Sequence, residues 1–135
     1  LRALFNALFD HNVMLEGTIL KASMIIPGKD CPQQADVEEV ADFTVQCLKS
    51  AVPAALPGIV FLSGGQSDDD ATAHLNEMNK AENLPWPLSF SYGRAMQSAA
   101  LKIWGADIAN NFAEAQKTVY ARAKDNGLAA KGEWQ

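Results

Sequence analysis

The chain has 135 residues, the size of one domain, with 48% hydrophobic and 20% charged residues, an ordinary globular composition rather than a disordered one. Its formal charge is −5, with the acidic residues spread along the chain, which argues against a nucleic-acid partner needing a concentrated basic face. No apolar run approaches the length of about 20 residues that crosses a bilayer, so no membrane role is expected.

Leu1, Leu4, Phe5, Leu8 and Phe9 form the i, i+3, i+4, i+7 stripe of an amphipathic helix. The chain opens on Leu1 without a small-residue cleavage site, so a start inside a longer parent is expected. Val13 to Leu20 is too densely apolar for a half-solvated face and predicts a strand covered on both sides, closed by Lys21. Pro27-Gly28 begins a loop that runs to about Asp36, and a helix from Val37 to Ala51 follows, with Val40, Phe43, Val45 and Leu48 among its apolar positions.

Pro53 and Pro57-Gly58 lead into a second buried strand, Ile59 to Leu62. Ser63-Gly64-Gly65-Gln66-Ser67 then turns the chain, and Ser67 with Asp70 predicts the N-cap of a helix reaching about Asn79. After Pro85-Trp86-Pro87 a third strand is expected over Leu88 to Tyr92, followed by a helix from Gly93-Arg94 to Trp104. A last helix is expected from about Ala106 to Lys124, with Ile108, Phe112, Val119 and Tyr120 as apolar positions and Asn126-Gly127 beyond its end. Strands alternating with crossover helices imply a parallel α/β sheet with right-handed connections.

Ligands of parallel α/β folds sit at the C-terminal ends of the strands, where this chain places Lys21, Ser63-Gly64-Gly65 and Ser91-Tyr92-Gly93-Arg94. An unpaired ammonium is costly to bury, so a lysine closing a covered strand suits a free amine that attacks a carbonyl. The alternative is a side chain that runs past the strand end into solvent. Gly64 and Gly65 allow backbone N–H groups to approach an anion, and the same positions also suit a plain tight turn. Ser67 and the three aspartates after it already satisfy the next helix dipole, so an anion is expected on the loop amides rather than on that first turn. At the third strand Gly93 permits close approach, and the Arg94 guanidinium matches phosphate oxygens in pairs. Otherwise Arg94 is an exposed arginine opposing a helix dipole. Cys31 and Cys47 have no CxxC spacing, and with only His11 and His74 beside them they read as reduced thiols of a cytoplasmic protein, not as a zinc site.

Leu15-Glu16-Gly17-Thr18-Ile19-Leu20-Lys21, then Val52 to Ser67 with its Phe-Leu-Ser-Gly-Gly-Gln-Ser stretch, then Phe90-Ser91-Tyr92-Gly93-Arg94-Ala95 together resemble class I (Schiff-base) fructose-bisphosphate aldolases. The resemblance covers nearly the whole chain. It implies a (β/α)8 TIM barrel of which residues 1–135 are the C-terminal portion, carrying about the last three strands of a single domain.

It also implies reversible cleavage of fructose 1,6-bisphosphate into dihydroxyacetone phosphate and glyceraldehyde 3-phosphate in glycolysis. Lys21 would form the imine, and Ser63, Gly64, Gly65, Ser91, Gly93 and Arg94 would hold a substrate phosphate. The protonated imine serves as the electron sink, so neither metal nor cofactor is expected. The resemblance leaves room for a homo-oligomeric parent.

Ala22-Ser23 departs from the Pro-Asn often found after the family lysine, and the tyrosine-ended tail of many animal members is not represented. Glu16 is an odd number of residues from Lys21, so strand parity would turn it to the opposite face, while Asp10 and Asp30 lie outside the strand. The general acid and base are therefore expected upstream, and the isolated segment is expected to be inactive. Two other readings remain at this stage: another Schiff-base aldolase or transaldolase of the same fold, and a non-catalytic phosphosugar-binding fragment.

Overall fold

A computed structural model describes all residues, 1–135. Helix α1 (Arg2–Asp10) is followed by a single 3-10 turn (Leu15–Gly17), strand β1 (Leu20–Ala22) and helix α2 (Val37–Ala51). Strand β2 (Ile59–Phe61), helix α3 (Asp68–Met78), strand β3 (Leu88–Phe90), helix α4 (Arg94–Ala106) and helix α5 (Phe112–Ala129) complete the chain.

The strands form one parallel sheet in the order β1-β2-β3, with Leu20, Ile59 and Leu88 in one row and Lys21, Val60 and Ser89 in the next. Side chains alternate across a strand, so these rows face opposite sides. Leu20, Ile59, Phe61 and Leu88 are buried against a core containing Val40, Leu48, Leu75 and Met78 of the helices. The row of Lys21 looks away from the helices, and Lys21 itself is exposed. This helix-backed parallel sheet has the layering expected of a segment of a (β/α)8 barrel wall, in which its second face would look into the barrel.

Local chemistry explains several elements. Asp36 caps α2 by accepting from Glu39 N at 2.9 Å, and Glu39 returns a carboxylate oxygen to Asp36 N at 3.2 Å. This reciprocal box starts α2 at Val37, where the sequence placed it. Ser67 Oγ likewise accepts from Asp70 N at 3.0 Å and starts α3.

Several expectations need correction. Val13 to Leu20 is not a covered strand: Met14 and Ile19 are 70% and 63% exposed, and pairing begins only at Leu20. Gly17 N and Thr18 N donate back to Met14 O and Leu15 O, closing a local 3-10 turn that takes the amides a ladder would need. Glu16 lies in this turn, so the strand-parity argument about it does not apply.

The last helix starts at Phe112 rather than Ala106, because Asp107 Oδ1 accepts from Ala109 N and Asn110 N and holds a turn there. It also runs through Asn126-Gly127 to Ala129. Asn126, expected near a cap, is fully buried and bonded to Thr72 and to Arg122 O. The residues α5 buries are Ala115, Arg122, Asn126 and Ala129, whereas Phe112 and Tyr120 stay exposed. Of the stripe on α1 only Phe5 is buried, and on α2 Phe43 remains exposed.

Candidate functional site

Lys21 is the central residue of β1, one position before the strand ends at Ala22. Its Nζ donates to Ser91 Oγ at 3.1 Å, reaching past β2 to the loop that follows β3. The row alternation makes this possible, since Lys21 and Ser89 share a face and Ser91 continues that parity beyond the strand. Beside β1 lies a mostly apolar cleft of about 370 Å³, with Leu4, Lys21, Ile25, Leu48 and Leu62 in its lining. The lysine thus has a polar partner at its tip and borders a mostly apolar cleft.

The loop after β2 is a tight turn closed by Gln66 N donating to Ser63 O at 3.3 Å. Gly65 has φ +82°, a left-handed conformation that favours glycine. A β-carbon at Gly65 would also press to 3.1 Å from Ile26 Cδ1. Gly64 is tight for a different reason: its β-carbon would stand 3.1 Å from Leu62 Cδ1 and 3.7 Å from Arg94 Nη2. The Arg94 guanidinium therefore extends from the start of α4 across to the first glycine loop. Arg94 is in no salt bridge, and its helix has no side-chain cap.

The amides of Gly64 and Gly65, and those of Gly93 and Arg94, donate to no protein acceptor. Free N–H groups on two loops, with a guanidinium beside them, are the kind of donor set that can hold an anion. Gly93 has φ −90° and ψ −75°, and a β-carbon there would meet nothing within 4 Å, so its smallness leaves open space beside the backbone.

The structure pairs Lys21 with Ser91 and sets the Arg94 guanidinium beside Gly64, with Ser63, Gly65 and Gly93 next to them in the same two loops. Two supports behind these loops were not picked out from the sequence. His74, buried on α3, has Nδ1 2.7 Å from Gln66 Oε1, so with the amide oxygen facing it the ring donates and anchors the end of the glycine loop. Burial lowers the His74 pKa, and the Asp70 carboxylate opposes that shift. Arg122 of α5 reaches the starts of both α3 and α4. Between them, Tyr92 OH donates to Ala71 O at 2.8 Å, and burial holds its phenol far above the ordinary range, against the pull of Arg122. The spacing of Arg122 and Asn126, four apart on the face that also carries Ala115 and Ala129, was the available signal for a buried polar seam.

The whole chain, residues 1–135, matches the family model described as glycolytic class-I fructose-bisphosphate aldolase. It is 70% identical over 135 residues to a probable fructose-bisphosphate aldolase class 1 of Xylella fastidiosa, covering 100% of this chain and 40% of that protein. It is 51% identical to fructose-bisphosphate aldolase B of Sparus aurata, covering 100% of this chain and 37% of that one. Among solved structures, a Plasmodium falciparum fructose-bisphosphate aldolase, crystallised with TRAP and a small-molecule inhibitor, superposes with a TM-score of 0.94 at 41% identity. That superposition covers 99% of this chain and 38% of the other. The chain spans about two fifths of the length of the curated relatives it matches.

Proposed function

This chain belongs to the class-I fructose-bisphosphate aldolase family, and on that footing we propose that it is the C-terminal portion of one (β/α)8 domain that cleaves fructose 1,6-bisphosphate. Lys21 is the nucleophile. The observation that supports this reading is the Lys21 Nζ to Ser91 Oγ contact at 3.1 Å, which ties the amine to the loop that carries Gly93 and Arg94.

The amine attacks the C2 carbonyl of the open-chain ketose and expels water, leaving a protonated imine. A base takes the proton from the C4 hydroxyl, the C3–C4 bond breaks, and its electron pair moves into the iminium as an enamine. Glyceraldehyde 3-phosphate leaves. Protonation at C3 and addition of water then release dihydroxyacetone phosphate and regenerate the amine. Since the C1 phosphate is one carbon from the imine, it is the group that Ser63, Gly64, Gly65, Ser91, Gly93 and Arg94 hold. The general acid and base come from the upstream part of the parent, and residues 1–135 alone turn over no substrate.

The setting is glycolysis in the cytoplasm. The family description names glycolysis, and a relative from Arabidopsis thaliana, 51% identical over 135 residues, is called cytosolic. No helix is long and apolar enough to cross a membrane.

The test is reductive trapping in the full-length enzyme. Dihydroxyacetone phosphate with borohydride should place one label on the peptide carrying Lys21. A label on Lys29 or Lys49 would refute the assignment.

A further inference from the structure

We infer that Arg122 is a positioning residue for the phosphate cradle, holding the glycine loop and the Arg94 loop at a set separation. The inference rests on the reading of these loops as a phosphate site.

The two loops lead into α3 and α4, and no backbone ladder joins those helix starts. Arg122 joins them. Its Nε donates to Ala95 O in the first turn of α4 at 3.0 Å, while Nη2 donates to Asp68 O at the first residue of α3 at 2.6 Å. Nη2 also reaches Thr72 Oγ1 at 2.8 Å, and Nη1 reaches Asp69 Oδ1 at 3.0 Å. The rigid planar fork of a guanidinium can hold two carbonyls on separate elements at once, which a single ammonium point charge does poorly.

The charge pairing does not account for this placement. The Arg122 side chain is 10% exposed, but that of Asp69 is 83% exposed, so the ion pair is formed largely in water and is worth little. Burying a cation beside so weak a counter-ion is unfavourable unless its hydrogen bonds do something an apolar residue could not. Here they tie two loops from separate βα units, and Asn126 Nδ2 in turn donates to Arg122 O at 2.8 Å, binding the donor into the same seam.

The test uses the full-length enzyme and two imine-forming probes, dihydroxyacetone phosphate and dihydroxyacetone, each trapped with borohydride and quantified on the Lys21 peptide. In Arg122→Met the concentration of dihydroxyacetone phosphate giving half-maximal label should rise about tenfold or more, since small misplacements of a preorganised site are costly. Labelling by dihydroxyacetone, which has no phosphate, should be unchanged. Arg122→Lys should lose less than Arg122→Met and answers the same question if the methionine variant is insoluble. Equal losses with both probes, or none, would overturn the role of Arg122 while leaving the Lys21 assignment intact. Absence of label in the unsubstituted enzyme would overturn both.

Discussion

The loops after β2 and β3 occupy equivalent places at the mouth of the same sheet, yet they serve their helices in opposite ways. Helix α3 is satisfied from within: Ser67 caps it, and Asp68, Asp69 and Asp70 fill its first turn. Helix α4 starts at Gly93 with no side-chain cap, has no acidic residue in its first turn, and puts Arg94 there instead. A carboxylate in a first turn offsets the partial positive charge of the helix end, whereas an arginine adds to it. The first loop can therefore offer only its glycine amides, while the second offers amides, helix dipole and guanidinium together. The placement of Arg94, unfavourable for an isolated helix, suits a helix whose partner is an anion.

Substitutions should separate the loops by the kind of loss they produce. The largest loss belongs to the group that leans on the second loop. Lys21→Arg should lower turnover on the order of 10³-fold or more, because it removes the covalent route. Competitive inhibition by inorganic phosphate should persist in that variant, and its disappearance would merge nucleophile and cradle into one unit. Arg94→Ala should weaken substrate binding by about 2 kcal/mol, or about thirtyfold, with the melting temperature little changed. A Michaelis constant and turnover both equal to those of the unsubstituted enzyme would remove Arg94 from the site.

Ser67→Ala should do the reverse, costing about 1 kcal/mol of stability through loss of the cap. Its Michaelis constant should barely move. If Ser67→Ala weakened substrate binding more than Arg94→Ala, the contrast between the loops would be inverted.

The smallest effect concerns acid. Only the first loop rests on a histidine, and burial lowers the folded-state pKa of His74 below its usual 6.5, with Asp70 the opposing charge. The unfolded chain then binds the proton more readily. The stability tied to His74 is thus fully present above pH 6.5 and is lost as pH falls from there through the lower folded value. Urea midpoints of His74→Asn should fall less across that window than those of the unsubstituted enzyme, and parallel curves would show that another group governs it.

Much of this molecule could be read from short stretches of chain. Asp36 and Glu39 announce the start of α2, Ser67 and Asp70 that of α3, and the Ile59-Val60-Phe61 run needs no context to be a buried strand. The placement of Lys21, Gly64 and Arg94 at the C-terminal ends of the strands was equally legible, because each follows directly from the order of the βα units. Apolar density misled where local hydrogen bonds competed with the ladder, as at Met14 to Gly17, and where an apolar stripe found no cover in this chain, as at Phe112 and Tyr120.

The sequence by its local patterns was enough for the side-chain caps of α2 and α3, the strand at Ile59 and the order of the βα units. Tertiary packing set the pairings across long separations. The reach of Lys21 to Ser91, the guanidinium of Arg94 over Gly64, and the ties from Arg122 to Asp68 and Ala95 join residues from different units. Such bonds form only after the sheet register and helix packing have been set, and donors on flexible side chains carry no local signature of the carbonyl they will meet. Composition could show that Arg122 was charged; the packing of α5 against α3 and α4 placed it where both loops need a common anchor.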